Sequence, residues 1–307
     1  MGVLVVHLLG EKFAGDPAGR ALPLPSAAWP LLGCLLSAPS HRMSRGALAG
    51  ALWPEQDEQS ARHCLATAVW RIRKRLGAAA GLIQMDCDSI ALFSGDSMAI
   101  DVLEFERVAS AALRNPELLD HRVERDRLCE ALTIYRGELL PGISHELVEL
   151  ERERLQAMFL DAGLEFIRAC RRHDELRLAC EVGRRICAAE PFREDAQRLF
   201  MQALVECGNP AKALHCYREF EALLRMELGV QPMSETRALA SQIATGLSGT
   251  APENASKRAA PPVATLAAHP IAESAMSGPR ATLMQARCQM VMSLDLIDQT
   301  LADIGLD

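Results

Sequence analysis

A mainly α-helical protein with two unlike halves is predicted by three observations. Three Trp, two Tyr and eight Phe are few among 307 residues of which 49% are hydrophobic, and the abundant Ala and Leu suit helix packing better than a β-sandwich. β-branched runs and turn residues cluster before Phe93. From Ala99 onward the apolar spacing is helical throughout. The length suits about two domains.

Taken in order, Val3 to Leu9 reads as a buried strand, and Gly15, Asp16, Pro17 and Gly19 as a turn before a short strand near Ala21 to Leu24. Ser26 is the expected N-cap of a helix through Leu36, with Pro30 early enough to be tolerated. Ser44 is the expected cap of the next helix, which turns Leu48 and Leu52 inward and ends at Trp53-Pro54.

The stretch Ala61 to Leu76, ARHCLATAVWRIRKRL, follows. At 100° per residue Ala61, Leu65, Val69, Ile72 and Leu76 form one stripe, with Ala68 at its edge. His63, Thr67, Trp70 and Lys74 lie opposite, flanked by Arg62, Arg71, Arg73 and Arg75, with no acidic residue in the stretch. Cations near a helix C-terminus suit the macrodipole whether or not a ligand is present. A Trp on the wet side is not accounted for in that way, and phosphates would suit such a face. Beyond Gly77 to Gly81, Leu82 to Met85 and Ile90 to Phe93 read as strands joined by Asp86 to Ser89. Sheet, three helices and a hairpin make a winged helix whose third helix is presented to the major groove. Asp86 and Asp88 put negative charge at the wing tip, which suits phosphate contact poorly.

Helices are then expected near 101–114, 121–135, 146–172, 174–189, 193–207, 210–227 and 234–247. His173 to Gly208 and Ala179 to Ala213 are 35 and 34 positions apart, close to the tetratricopeptide period, and Gly208, Ala213 and Tyr217 fall at its small, small and aromatic positions. Stacked helix pairs offer a concave surface to a protein or peptide. The expected organisation is a winged helix over residues 1–98, a helical repeat domain over 99–247, an Ala/Pro/Ser-rich linker over 248–280 and an amphipathic helix over 281–307. Met290, Leu294, Ile297, Leu301 and Ile304 stripe that last helix, which can pack on its own domain or pair with a second chain.

Net charge is −7, with nine Lys or Arg against eight Asp or Glu in residues 1–98 and 24 against 32 thereafter. The acidic balance therefore does not argue against nucleic acid, because five of the nine front-end cations lie within 61–76. Ten cysteines include no C-x-x-C pair, and Cys170, His173, Cys180 and Cys187 are the nearest approach to a cluster, so reduced thiols and no metal are expected. Val3 to Leu9 lacks the basic flank of a signal peptide and Ala27 to Ala38 is too short to span a bilayer, which predicts a cytoplasmic protein without membrane association. No phosphate loop, G-x-S-x-G elbow or H-E-x-x-H pair is present, so neither catalytic residues nor a cofactor are expected.

Ala51-Leu52-Trp53-Pro54, Ser60-Ala61-Arg62 and Trp70-Arg71-Ile72-Arg73-Lys74-Arg75-Leu76-Gly77 resemble the winged helix of the antibiotic regulatory protein (SARP) family of bacterial activators. The second half resembles that family's bacterial transcriptional activator domain through Asp101-Val102-x-x-Phe105, Tyr135 to Gly142 (YRGELLPG), Glu151 to Leu155 (ERERL), Glu190 to Glu194 (EPFRE), and Gly208, Ala213-Leu214, Tyr217 and Glu227 to Pro232 (ELGVQP). The resemblance implies an activator that binds direct repeats in duplex DNA near promoters, often as a side-by-side pair, and recruits RNA polymerase through its sigma factor. It places base-reading residues among Arg62, His63, Thr67, Trp70, Arg71 and Lys74, and phosphate contacts at Arg73, Arg75, Ser44 and Arg45. The alternative is a protein-interaction adaptor whose winged helix no longer binds DNA.

Overall fold

A computed structural model describes residues 4–93 and 98–249; the expected linker from residue 250 on, the C-terminal amphipathic helix and Cys288 lie outside the described residues, and residues 248 and 249 belong to a helix instead. The chain is mainly helical, with two small sheets at its front. Strand β1 (Leu4–His7) is the centre of the first sheet, antiparallel to β2 (Phe13–Gly15). The strand expected near Ala21 to Leu24 is reduced to one bridge between Gly15 and Ala21. Asp16 closes a tight turn by accepting from the N–H of Ala18 and Arg20, and Pro23 and Pro25 then deprive the segment of donors.

Helix α1 (Ala28–Ser37) starts without a side-chain cap. Ala27 occupies the cap position in a helical conformation, so Ser26 stands one residue too early to serve. The helix is buried on nearly every side because it lies between the winged-helix core and the helical half. Strand β3 (Arg42–Ser44) leads to α2 (Arg45–Leu52), whose first turn is capped by the Ser44 hydroxyl accepting from the Ala47 N–H at 3.1 Å. Helix α3 (Glu58–Leu76) begins three residues before the expected Ala61, since the Asp57 carboxylate accepts from the N–H groups of Gln59 and Ser60. The wing strands β4 (Ile83–Met85) and β5 (Ser89–Leu92) follow, and β5 pairs with β3 on its other side.

Strand β6 (Met98–Ile100) returns parallel to β1 and feeds α4 (Asp101–Arg114). Here the Asp101 motif has its physical meaning: the buried carboxylate accepts from the backbone N–H of Leu8, Leu9 and Val102, stapling the end of β1 to the start of α4. Phe105 and Tyr135 have ring centroids 5.2 Å apart, and Tyr135 stacks on Phe159 at 4.3 Å. After α5 (Arg122–Ile134), the stretch from Arg136 to Leu140 pairs with the chain following β1: Gly10 N–H donates to the Glu138 carbonyl and Leu140 N–H to that of Leu8. Two of the motifs that carry the resemblance, at Asp101 and over Tyr135 to Gly142, thus join the two halves.

Helices α6 (Glu146–Arg172), α7 (Leu176–Ala189), α8 (Glu194–Glu206), α9 (Pro210–Leu228) and α10 (Ser234–Gly249) each pack on the next. The repeat is visible in hydrogen bonding. Glu175 N–H donates to the Cys170 carbonyl, and 34 positions on Asn209 N–H donates to that of Leu204, both at 2.8 Å. The residue closing each turn, Asp174 or Gly208, has positive φ. Gly163 lets α6 and α7 approach, since a Cβ there would lie 2.1 Å from the Ile186 side chain. The main core runs from Leu4 to Ala203 without a break, and the described residues up to 249 form one compact unit across the boundary expected at 98/99.

Candidate nucleic-acid interface

The apolar stripe of α3 is buried: Leu65, Val69 and Ile72 are 0–1% exposed, and Ala61, Ala68 and Leu76 are buried with them. On the opposite face Trp70 is 60% exposed, and Arg62, His63, Arg71, Lys74 and Arg75 are also exposed, while Thr67 and Arg73 are half-buried. The Lys74 ammonium sits 4.8 Å from the Trp70 ring centroid, a cation–π pair that presents the charge and the ring together.

The cations have different tasks. Arg73 donates to the Ile83 carbonyl at 2.9 Å, tying α3 to the wing. Arg75 Nε donates to the Pro23 carbonyl at 2.9 Å, and Arg62 pairs with Glu58 one turn earlier at 2.6 Å. Among the described residues Arg45, Arg71 and Lys74 form no ion pair; Arg71 and Lys74 are exposed and Arg45 is half-buried. Ser44 uses its hydroxyl as the α2 cap, and this brings Arg45 to the mouth of a recess shared with Arg62, Cys87 and Asp88. Arg45 N–H donates to the Asp88 carbonyl at 2.8 Å, which ties the wing tip to the start of α2.

Sequence reasoning missed Arg42. Its guanidinium pairs with Asp86 and also donates to the Ser89 hydroxyl at 2.7 Å, so Asp86 brings less negative charge to the wing tip than its type suggests. The hydrogen bond from Arg42 holds the Asp86 carboxyl below the usual range. The pair is 44 positions apart, and only the β3–β5 register brings it together. Nothing in local spacing signals it.

Among the described residues no three His, Cys, Asp or Glu side chains converge to hold a metal, and Cys170, His173, Cys180 and Cys187 are not gathered. Burial pushes the Cys34 thiol up to about 11 and those of Cys170 and Cys187 up to about 12, which leaves them protonated and unreactive near neutral pH. No described helix is long and apolar enough to cross a membrane.

Residues 100–244 match the family model of the bacterial transcriptional activator domain. The chain is 29% identical over 240 residues to the regulatory protein AfsR of Streptomyces coelicolor, covering 76% of this chain and 23% of that one. It is 28% identical over 207 residues to the regulatory protein DnrI of Streptomyces peucetius, covering 63% and 74%. The chain therefore spans less than a quarter of the length of AfsR. Among solved structures it resembles Mycobacterium tuberculosis EmbR in complex with a low-affinity phosphopeptide, with a TM-score of 0.62 and 22% identity over 80% of this chain and 66% of that one, a likeness of fold.

Proposed function

We propose that the chain, which carries the bacterial transcriptional activator domain and is similar to the regulatory proteins AfsR and DnrI, is an activator of the antibiotic regulatory protein family and regulates transcription by placing α3 in the major groove of duplex DNA. The observation that carries this reading is the two-sidedness of α3, with one face sunk in the core and the other presenting Trp70, Arg71 and Lys74 to solvent. Arg71, Lys74, His63 and Thr67 stand where base edges would lie, with Arg62 beside them. Arg45 at the start of α2 faces the flanking phosphates. Arg73 and Arg75 support the surface by fixing the wing and the segment before α1, while their charge adds to its field.

Binding to direct repeats as a side-by-side pair, and recruitment of RNA polymerase through its sigma factor by the helical half, complete the proposal. Exposed Met226, Leu228, Val230 and Met233 at the α9–α10 junction offer apolar area for such a contact. The adaptor alternative rests on an acidic wing and an acidic helical half; the Arg42 pairing of Asp86 weakens the first ground and leaves the second.

The test is footprinting and affinity measurement on the promoters neighbouring the gene across a salt series. Specific protection whose log affinity falls linearly with log salt, and which Arg71→Ala and Lys74→Ala each weaken, is the expected result. Protection indifferent to both substitutions, or none at all, refutes the proposal.

A further inference from the structure

Phosphate binding has no use for the largest side chain on the outer face of α3. At 60% exposure Trp70 leaves most of an indole in water, at a cost in apolar hydration that a Gln or Lys at the same position avoids. Beside it runs the segment Pro23-Leu24-Pro25, pinned to α3 by the Arg75 hydrogen bond to the Pro23 carbonyl. Trp70 and the Pro23-Leu24-Pro25 segment line an open groove of about 480 Å3 together with Arg71, Lys74 and Arg75. Its lining is apolar and cationic at once.

A ligand matched to both is a polyanion that carries an apolar group. On the major-groove edges of duplex DNA the C5-methyl of thymine is the one such group, every other position presenting a hydrogen-bond donor, an acceptor or a bare ring carbon. We infer that the groove between Trp70 and Leu24-Pro25 is a thymine-methyl site, and that Trp70 is a specificity-determining residue through apolar contact. This rests on the reading that α3 enters duplex DNA. The cations in the lining select DNA over a neutral protein segment as the occupant.

The full chain is used to enrich duplexes from a randomised pool, and the enriched duplex is remade with deoxyuridine at each thymine in turn. At one thymine of each bound site the wild type loses about fourfold in affinity, which is about 0.8 kcal/mol for one buried methyl at 1.4 kcal/mol per factor of ten. Trp70→Ala binds the thymine duplex more weakly than the wild type and no longer distinguishes it from the deoxyuridine duplex, while Trp70→Phe keeps part of the discrimination. Wild-type binding indifferent to deoxyuridine everywhere, or a deoxyuridine penalty undiminished in Trp70→Ala, overturns the methyl site and leaves DNA binding standing. Enrichment of no duplex overturns both.

Discussion

The His145 imidazole joins the two halves of the chain: its Nε2 lies 2.9 Å from the carbonyl oxygen of Ala51 at the end of α2, while its Nδ1 accepts from the Leu147 N–H at 3.2 Å and caps α6. Because Nδ1 accepts, the proton is on Nε2, and the ring donates across the boundary. One side chain therefore caps α6 and bonds a carbonyl in the last turn of the helix that precedes α3.

His145→Ala removes both bonds and is expected to lower unfolding stability by about 1–2 kcal/mol in urea titration. His145→Asn supplies a capping oxygen without the reach to Ala51, and recovers part of the loss. Equal losses for the two variants would show that the cap contributes nothing, and full recovery in His145→Asn would show that the bond to Ala51 contributes nothing.

Gly33 makes a second join. A Cβ at this position would lie 2.5 Å from Val148 Cγ2 and 2.9 Å from Leu140 Cδ1, so α1 meets α6 only because the side chain is absent. Gly33→Ala forces the contact apart, at an expected cost of about 1–3 kcal/mol. The core is continuous, so the wild type should lose Trp fluorescence, which reports residues 29, 53 and 70, and helical circular dichroism in one coincident transition. Two separated transitions in the wild type would mean that the halves fold independently despite this contact.

Within the helical half, Arg125 is 5% exposed and donates to both carboxylate oxygens of Glu175 at 2.7 and 2.9 Å, and also to the carbonyls of Leu119 and Asp120. The hydrogen bonds from Arg125 hold the Glu175 carboxyl below its ordinary value near 4.5. A lowered folded value means that the pair's contribution is fully present above pH 4.5 and is lost as pH falls through the folded value. Glu175→Gln is therefore expected to cost about 1–3 kcal/mol at pH 7, less than for a fully buried pair because the Glu175 side chain is partly exposed and two carbonyls still accept from Arg125. Its deficit against the wild type should shrink between pH 4.5 and pH 2 in thermal melts. A deficit that stays constant over that range would place the effect in packing.

The sequence carried the long elements and lost the short ones, for identifiable reasons. Helices α4 and α6 begin and end where spacing and flanking turn residues put them, and the buried and exposed faces of α3 follow from periodicity alone. Strands β3 and β6 have three residues each, too few to display an alternation, and exist because neighbouring strands pair with them. Helix α3 starts at Glu58 rather than Ala61 because the Asp57 carboxylate caps it, and the apolar and charge spacing from Ala61 onward does not mark that extra turn. The partners of Arg42, Arg73 and Arg75 are carbonyls or carboxylates 10 to 52 positions away, so the sequence could count these cations without saying which were already engaged.

That division of labour among the cations separates Arg71 from Arg73 experimentally. Arg71 forms no ion pair among the described residues, whereas Arg73 is half-buried and bonded to the Ile83 carbonyl of the wing. Arg71→Ala should leave stability within about 0.5 kcal/mol of the wild type, weaken DNA binding and reduce the slope of log affinity against log salt by about one. Arg73→Ala should instead cost about 1–2 kcal/mol of stability, because a charge-assisted bond to a half-buried carbonyl is lost, and weaken binding through a loosened wing with the salt slope little changed. Paired urea titrations and salt series on the two variants read both quantities. An unchanged stability together with a full unit lost from the slope on Arg73→Ala would return that residue to the phosphates and make its bond to Ile83 incidental.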